Sequence, residues 1–162
     1  MKFVKWTLIV LVGIFVVLQF IRPPKNLAKV PPTADISTIV HVPDDIALIL
    51  GTSCYDCHSS TTRYPWYAEV QPVGWFLNDH IQEAKKELNF SEFATYPLRR
   101  QIIKLGQVGD EVNEEKMPLP SYLIAHSEAE LSPEQRSRLV GWAMAMQETL
   151  KSRYPSDSLE RK

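Results

Sequence analysis

Residues 54–58 read CYDCH: Cys54, Tyr55, Asp56, Cys57 and His58. Two thiols one helical turn apart can bond to the two vinyl groups of a haem, and the imidazole directly after them reaches its iron. The chain has only two cysteines, and both are here. No disulfide framework is open to it, so the purpose of the pair is local. Three other readings of such a pair stay open: a thioredoxin-like redox pair, half of a zinc site, and two buried structural thiols. No alternating strand pattern precedes the motif, which weighs against the first. His41, His80 and His126 lack the paired spacing of a zinc finger, which weighs against the second. The motif predicts one covalent haem c (one iron), held through Cys54 and Cys57, with His58 as an iron ligand.

Outward from the motif the apolar residues recur at helical spacing. Asp44 can cap a short helix through Ile46, Ala47, Ile49 and Leu50, with Gly51 ending it before Cys54. A second helix is expected from Pro72, carrying Leu77, Ile81, Ala84 and Leu88 on one stripe. A third uses Leu98, Ile102, Leu105, Val108 and Val112, with Gly106 and Gly109 weakening it. The last has Ser132 as N-cap, Pro133 at the first helical position and Gln135 completing a capping box, and it buries Leu139, Trp142, Ala143 and Met146. The expected fold is all-α, with no sheet.

Haem iron commonly takes a second axial ligand from Met or His. Met117 is the candidate, in the irregular segment Lys116-Met117-Pro118-Leu119-Pro120, where prolines block helix continuation. His80 is the runner-up, on the same face as Leu77 and Ala84, and an open site is the third possibility. The expectation is that Met117 faces His58 across one cavity closed by the final helix around Trp142. Trp66 and Tyr67 are expected to cover a haem face, and Arg63 to offset a propionate charge.

At the N-terminus, Trp6 to Ile21 run without a charge, which predicts a retained transmembrane anchor over residues 1–21. Residues 22–43, with Pro23, Pro24, Pro31, Pro32 and Pro43, read as an extended linker, 44–151 as the haem-binding domain and 152–162 as a flexible tail. The haem would then lie on the outer, periplasmic side of a bacterial inner membrane, since haem is joined to CxxCH sequences there. Five of the 18 basic residues precede the first acidic residue, Asp35, so 13 face 19 acidic residues from there on. That balance excludes nucleic acid as a partner of the folded part, and redox proteins are the expected partners.

CYDCHSSTTRYPWYAEVQPVGWFLNDH (54–80), ELNFSEF (87–93) and KMPLPSY (116–122) together resemble the bacterial haem-binding domain family typified by membrane-anchored proteins of Bacteroidetes. The likeness runs from about Pro43 to Ala143. It implies covalent haem on Cys54 and Cys57 with His58 as ligand, and it places the family's Met-Pro element on Met117 and Pro118. It also implies an all-α domain similar to class I cytochromes c, with the motif helix packed on the C-terminal helix. It implies no reaction. The expected function is a single-electron carrier with His/Met-ligated iron. The alternatives are a haem enzyme or gas sensor with an open or displaceable sixth ligand, and an assembly protein using haem as a folding staple. No hydrolase triad or phosphate loop is present.

Overall fold

A computed structural model describes residues 2–27 and 33–153. Residues 28–32 of the expected linker and 154–162 of the expected tail lie outside the described residues. The described chain is all-helical, as expected, and its one β-type pairing is an isolated bridge between Leu27 and Thr61.

The first helix, α1, spans Lys2–Leu18 and buries none of its residues. Seventeen residues at 1.5 Å each reach about 25 Å, short of the roughly 30 Å hydrocarbon core. No helix among the described residues is long and apolar enough to cross a membrane. The predicted single-pass anchor over 1–21, and the inner-membrane localisation built on it, are thereby corrected. The reason is local: the charge-free run continues through Phe20 and Ile21, but the helix does not. Gln19 donates from Nε2 to the Phe15 and Gln71 carbonyls and accepts at Oε1 from Gln71 N–H. Trp75 Nε1 donates to Ile21 O, and the chain turns onto the domain at that point.

The stretch expected as a free linker is also packed where it is described. Asn26 is buried, donating from Nδ2 to Ser59 O and Thr62 Oγ1, and Ile36 and Val40 lie in the core. Asp35 caps a 3₁₀ turn over Ile36–Thr38 by accepting from Ser37 N–H.

Helix α2 (Asp44–Ser53) has Pro43 at its N-cap position, and Asp44, expected as the cap, is its first helical residue. Asp44 and Asp45 occupy its first turn, where carboxylates complement the helix dipole. Gly51 stays helical instead of ending α2. The one-turn helix α3 (Tyr55–His58) follows, then a 3₁₀ turn at Trp66–Glu69, α4 (Val73–Glu87) and a 3₁₀ turn at Phe90–Thr95. Helix α5 (Leu98–Asn113) is unbroken. A Cβ on Gly106 would overlap the Gln147 amide, and one on Gly109 would meet Met144 Cγ at 3.6 Å. Gly106 thus leaves room for Gln147 of the last helix, while Gly109 has space for a Cβ. The one-turn α6 (Pro120–Leu123) and a 3₁₀ turn at Ser127–Ala129 lead to α7 (Pro133–Arg153), which includes Ser152 and Arg153. The capping box forms as expected: Gln135 N–H donates to Ser132 Oγ at 3.2 Å, and Ser132 N–H to Gln135 Oε1 at 2.9 Å.

The core gathers Ile46 and Leu50 of α2, Leu105 of α5, Leu139, Trp142 and Ala143 of α7, and Phe90 and Phe93. Each large apolar side chain buried there contributes on the order of 1.5–3 kcal/mol. Helix α7 takes α5 as its main partner and α2 as a lesser one, whereas α3 packs on α4 and α2. The expectation that the motif helix lies on the C-terminal helix is thus met by α2, which leads into the motif, and not by the motif turn itself.

Candidate functional site

Cys54, with φ −129°, bends the chain between α2 and α3. Its own carbonyl then accepts from His58 N–H at 2.9 Å and from Cys57 N–H at 3.2 Å. This single turn is what puts both thiols and the imidazole on one short helix. Asp56 is buried beside it and accepts from Arg63 Nε at 3.0 Å and from Tyr122 Oη at 2.9 Å. Arg63 Nη2 also donates to Gly51 O. The turn is therefore tied to α2 on one side and to α6 on the other.

His58 Nδ1 lies 2.9 Å from Leu88 O. A carbonyl can only accept, so Nδ1 carries the proton and Nε2 keeps its lone pair, the tautomer in which second-shell bonds hold metal-binding imidazoles. Burial holds His58 below the usual histidine range, against the opposing pull of the Leu88 carbonyl. The imidazole is kept neutral, as a metal ligand must be.

A narrow space of about 50 Å³ lies at the motif, walled by Cys54, Cys57, His58, His80, Met117 and Tyr122 among others. A cavity of about 300 Å³ shares Cys54, His58 and Met117 with it and adds Leu88, Phe90, Lys104, Val108 and Glu111. Another of about 280 Å³ shares Cys57, His80 and Tyr122 and adds Tyr67, Val73, Phe76 and Leu77. The three form one cleft, largely apolar, of a size suited to a flat organic cofactor.

Met117 is brought to this cleft by the end of α5. Glu111 O accepts from both Lys116 N–H at 3.0 Å and Met117 N–H at 3.1 Å, and Glu115, at φ 58°, turns the chain between them and the helix. His80 reaches the same narrow space from α4, its Nδ1 bonded at 2.9 Å to Phe76 O one turn back. Both candidates for a second ligand therefore border the space that His58 borders.

Of the remaining expected residues, Tyr67 borders the cleft, and its hydroxyl is hydrogen-bonded to His126 Nε2 at 2.6 Å. His126 Nδ1 in turn lies 3.0 Å from Glu128 Oε1. Trp66 does not cover the cleft: it is 80% exposed. Arg63 turns away toward Asp56, its side chain 69% exposed. Trp142 does not close the cleft either, because its indole is buried and donates to His41 O. The far wall comes instead from α5. Lys104 and Tyr122 were not anticipated, nor was it anticipated which backbone carbonyl after the motif would hold His58. Tyr122 could have been sought in KMPLPSY, and Lys104 from its place one turn before Val108 on the α5 stripe, but a backbone carbonyl leaves no signal in side-chain pattern.

Burial pushes the Cys54 thiol up to about 12, with neighbouring Cys57 adding to it, and pushes Cys57 up to about 11, with Asp56 adding to it. A thioredoxin-like pair works through a lowered thiol pKa, and burial here acts in the opposite direction. Among the described residues no group of three or more His, Cys, Asp or Glu side chains could hold a metal ion, so half a zinc site has no other half. The donor set fits a haem: two unpaired thiols, a neutral imidazole with a free Nε2, and a thioether on the same narrow space.

Residues 13–145 match the model of a family described as a haem-binding domain. No curated protein and no solved structure matches the chain.

Proposed function

We propose, from the premise that this chain belongs to the haem-binding domain family, that it is a single-electron carrier with one haem bound covalently through Cys54 and Cys57. His58 Nε2 and Met117 Sδ would be the axial ligands. When bound, the haem supplies reversible one-electron chemistry at its iron. The chain's own contribution is positional. The Leu88 carbonyl holds His58 in one tautomer, the Glu111 carbonyl holds the Met117 segment, and the apolar walls exclude water, which together tune the potential.

The observation that carries this reading is that Met117 and His58 border one narrow space together with both cysteines. Absorption spectra of the oxidised and reduced protein test the ligation. The oxidised wild type should show the weak red band of a Met-ligated haem, and Met117→Ala should lose it. A spectrum unchanged by Met117→Ala would end the Met-ligated reading. Haem stain that stays with the polypeptide through acid-acetone extraction and a denaturing gel tests the covalent linkage.

A second reading is favoured by His80 and the 280 Å³ cavity beside it. Here a small molecule reaches the sixth position, and the protein is a haem enzyme or a sensor of peroxide or a diatomic gas. Rapid binding of carbon monoxide by the reduced wild type would select it over the carrier.

A further inference from the structure

We propose that Lys104 binds a haem propionate and so fixes which end of the cleft holds the polar edge of the cofactor; this rests on the haem reading above. A haem brings two carboxylates into whatever site receives its ring, and a carboxylate at an apolar wall needs a cation or donors beside it. Among the described residues that border the three spaces of the cleft, Lys104 is the single lysine or arginine. Arg63, the residue the sequence offered for this role, is committed to Asp56 on the other face of the motif turn.

Lys104 is also more deeply held than the other lysines that form ion pairs among the described residues. Its side chain is 13% exposed, whereas those of Lys86 and Lys116 are 68% and 60% exposed. It lies against the wall of the 300 Å³ cavity, with Gln107 one turn further along α5. Its ion-pair partner is Glu87, 2.9 Å away, whose own side chain is 76% exposed. An ammonium has three protons to donate, so one bond to a solvated carboxylate leaves capacity for a second acceptor on the inner side. Glu87 and Glu111 both border this cavity. Without Lys104 its charges would all be negative, and a propionate would be repelled. With it, this end of the cleft is its one cationic place, and the end around Val73, Phe76 and Leu77 receives the apolar edge.

The test uses the full chain carrying its haem. Lys104→Gln removes a cation near the iron, which favours the oxidised state. It should lower the reduced-to-oxidised ratio at fixed ambient potential about tenfold, roughly 59 mV for one electron. The propionate bending mode in the resonance Raman spectrum should shift with it. Lys104→Arg should keep the mode and hold the ratio within threefold, and Lys116→Gln, an exposed control, should change neither. Glu87→Gln reads the same contact from its solvent side. By freeing Lys104 it should shift the propionate mode and move the ratio the opposite way, which keeps the proposal testable if Lys104→Gln fails to fold. Haem present with an unchanged potential and propionate mode in Lys104→Gln, or an unchanged mode in Glu87→Gln, would overturn the assignment while leaving the haem reading intact. Absence of haem stain from the wild type would overturn both.

Discussion

The side of the molecule made by α2, α5 and α7 is held by apolar contact, while the side around the motif turn is held by polar ties. On the first, Leu105, Leu139, Trp142 and Ala143 are buried and Gly106 leaves room for Gln147 of α7. On the second, Asp56 joins Arg63 and Tyr122, Asn26 joins Ser59 and Thr62, and Asn89 N–H donates to Tyr96 Oη. Three connected spaces lie among those ties. An apolar seam is stable without help. A frame of hydrogen bonds around a cavity gains its apolar filling only when a ligand enters, so the two sides should respond differently to substitution and to cofactor.

The largest expected loss is on the apolar side. Leu139 is fully buried, and Leu139→Ala should cost about 2–5 kcal/mol in urea unfolding whether or not haem is attached. A loss under about 1 kcal/mol would break the contrast. On the polar side, Asp56→Ala leaves Tyr122 Oη and Arg63 Nε without their acceptor and should cost about 1–3 kcal/mol. Haem-loaded protein should show a smaller loss than haem-free protein, because the proposed thioether bonds would then also hold the turn. Equal losses in the two forms would mean that the polar frame does not share its task with the cofactor.

Ser132→Ala sharpens the comparison from the other direction. It removes an N-cap at the start of α7 and should cost about 1 kcal/mol, equally with and without haem, since the cap faces solvent away from the cleft. The smallest effect is on pH. In the haem-free protein His58 is held neutral with its pKa lowered by burial. The stability this group contributes is present above the unfolded value of about 6.5 and is lost as pH falls below it toward the folded value. The urea midpoint should therefore begin to drop as pH falls below about 6.5, above the range in which carboxylates titrate. In His58→Gln that drop should shrink, and an identical pH profile would assign it to other groups.

Helix type and sequence position were read correctly wherever a stripe and a cap agreed. Ser132, Pro133 and Gln135 set the start of α7, and the Leu98 to Val112 stripe gave α5 despite Gly106 and Gly109. Gly106 looked like a break because what it makes room for, Gln147, lies on another helix, and single-chain pattern does not show partners. The N-terminal run misled for a related reason. Hydrophobicity along the sequence continued to Ile21, but tertiary bonds to Gln71 and Trp75 ended the helix at Leu18. That CYDCH and Met117 would border one space could be read in advance because their residue types and spacing carry the signal. Arg63 and Trp66 were placed on the cleft by proximity in sequence, whereas the extended backbone after Ser59 carries them to the outer face.

One residue just outside the cleft bears on how firmly Met117 would be held. Glu115 sits at φ 58°, a left-handed conformation in which a side chain with a Cβ is disfavoured by roughly 1–2 kcal/mol and glycine is not. The segment that delivers Met117 is thus wound against its local preference, and tertiary contacts keep it wound. A bond from Met117 to iron would be made by a spring already under tension. If Glu115→Gly slackens that spring without touching the sulfur, the sixth ligand will exchange with added imidazole at a different rate while the resting spectrum stays the same.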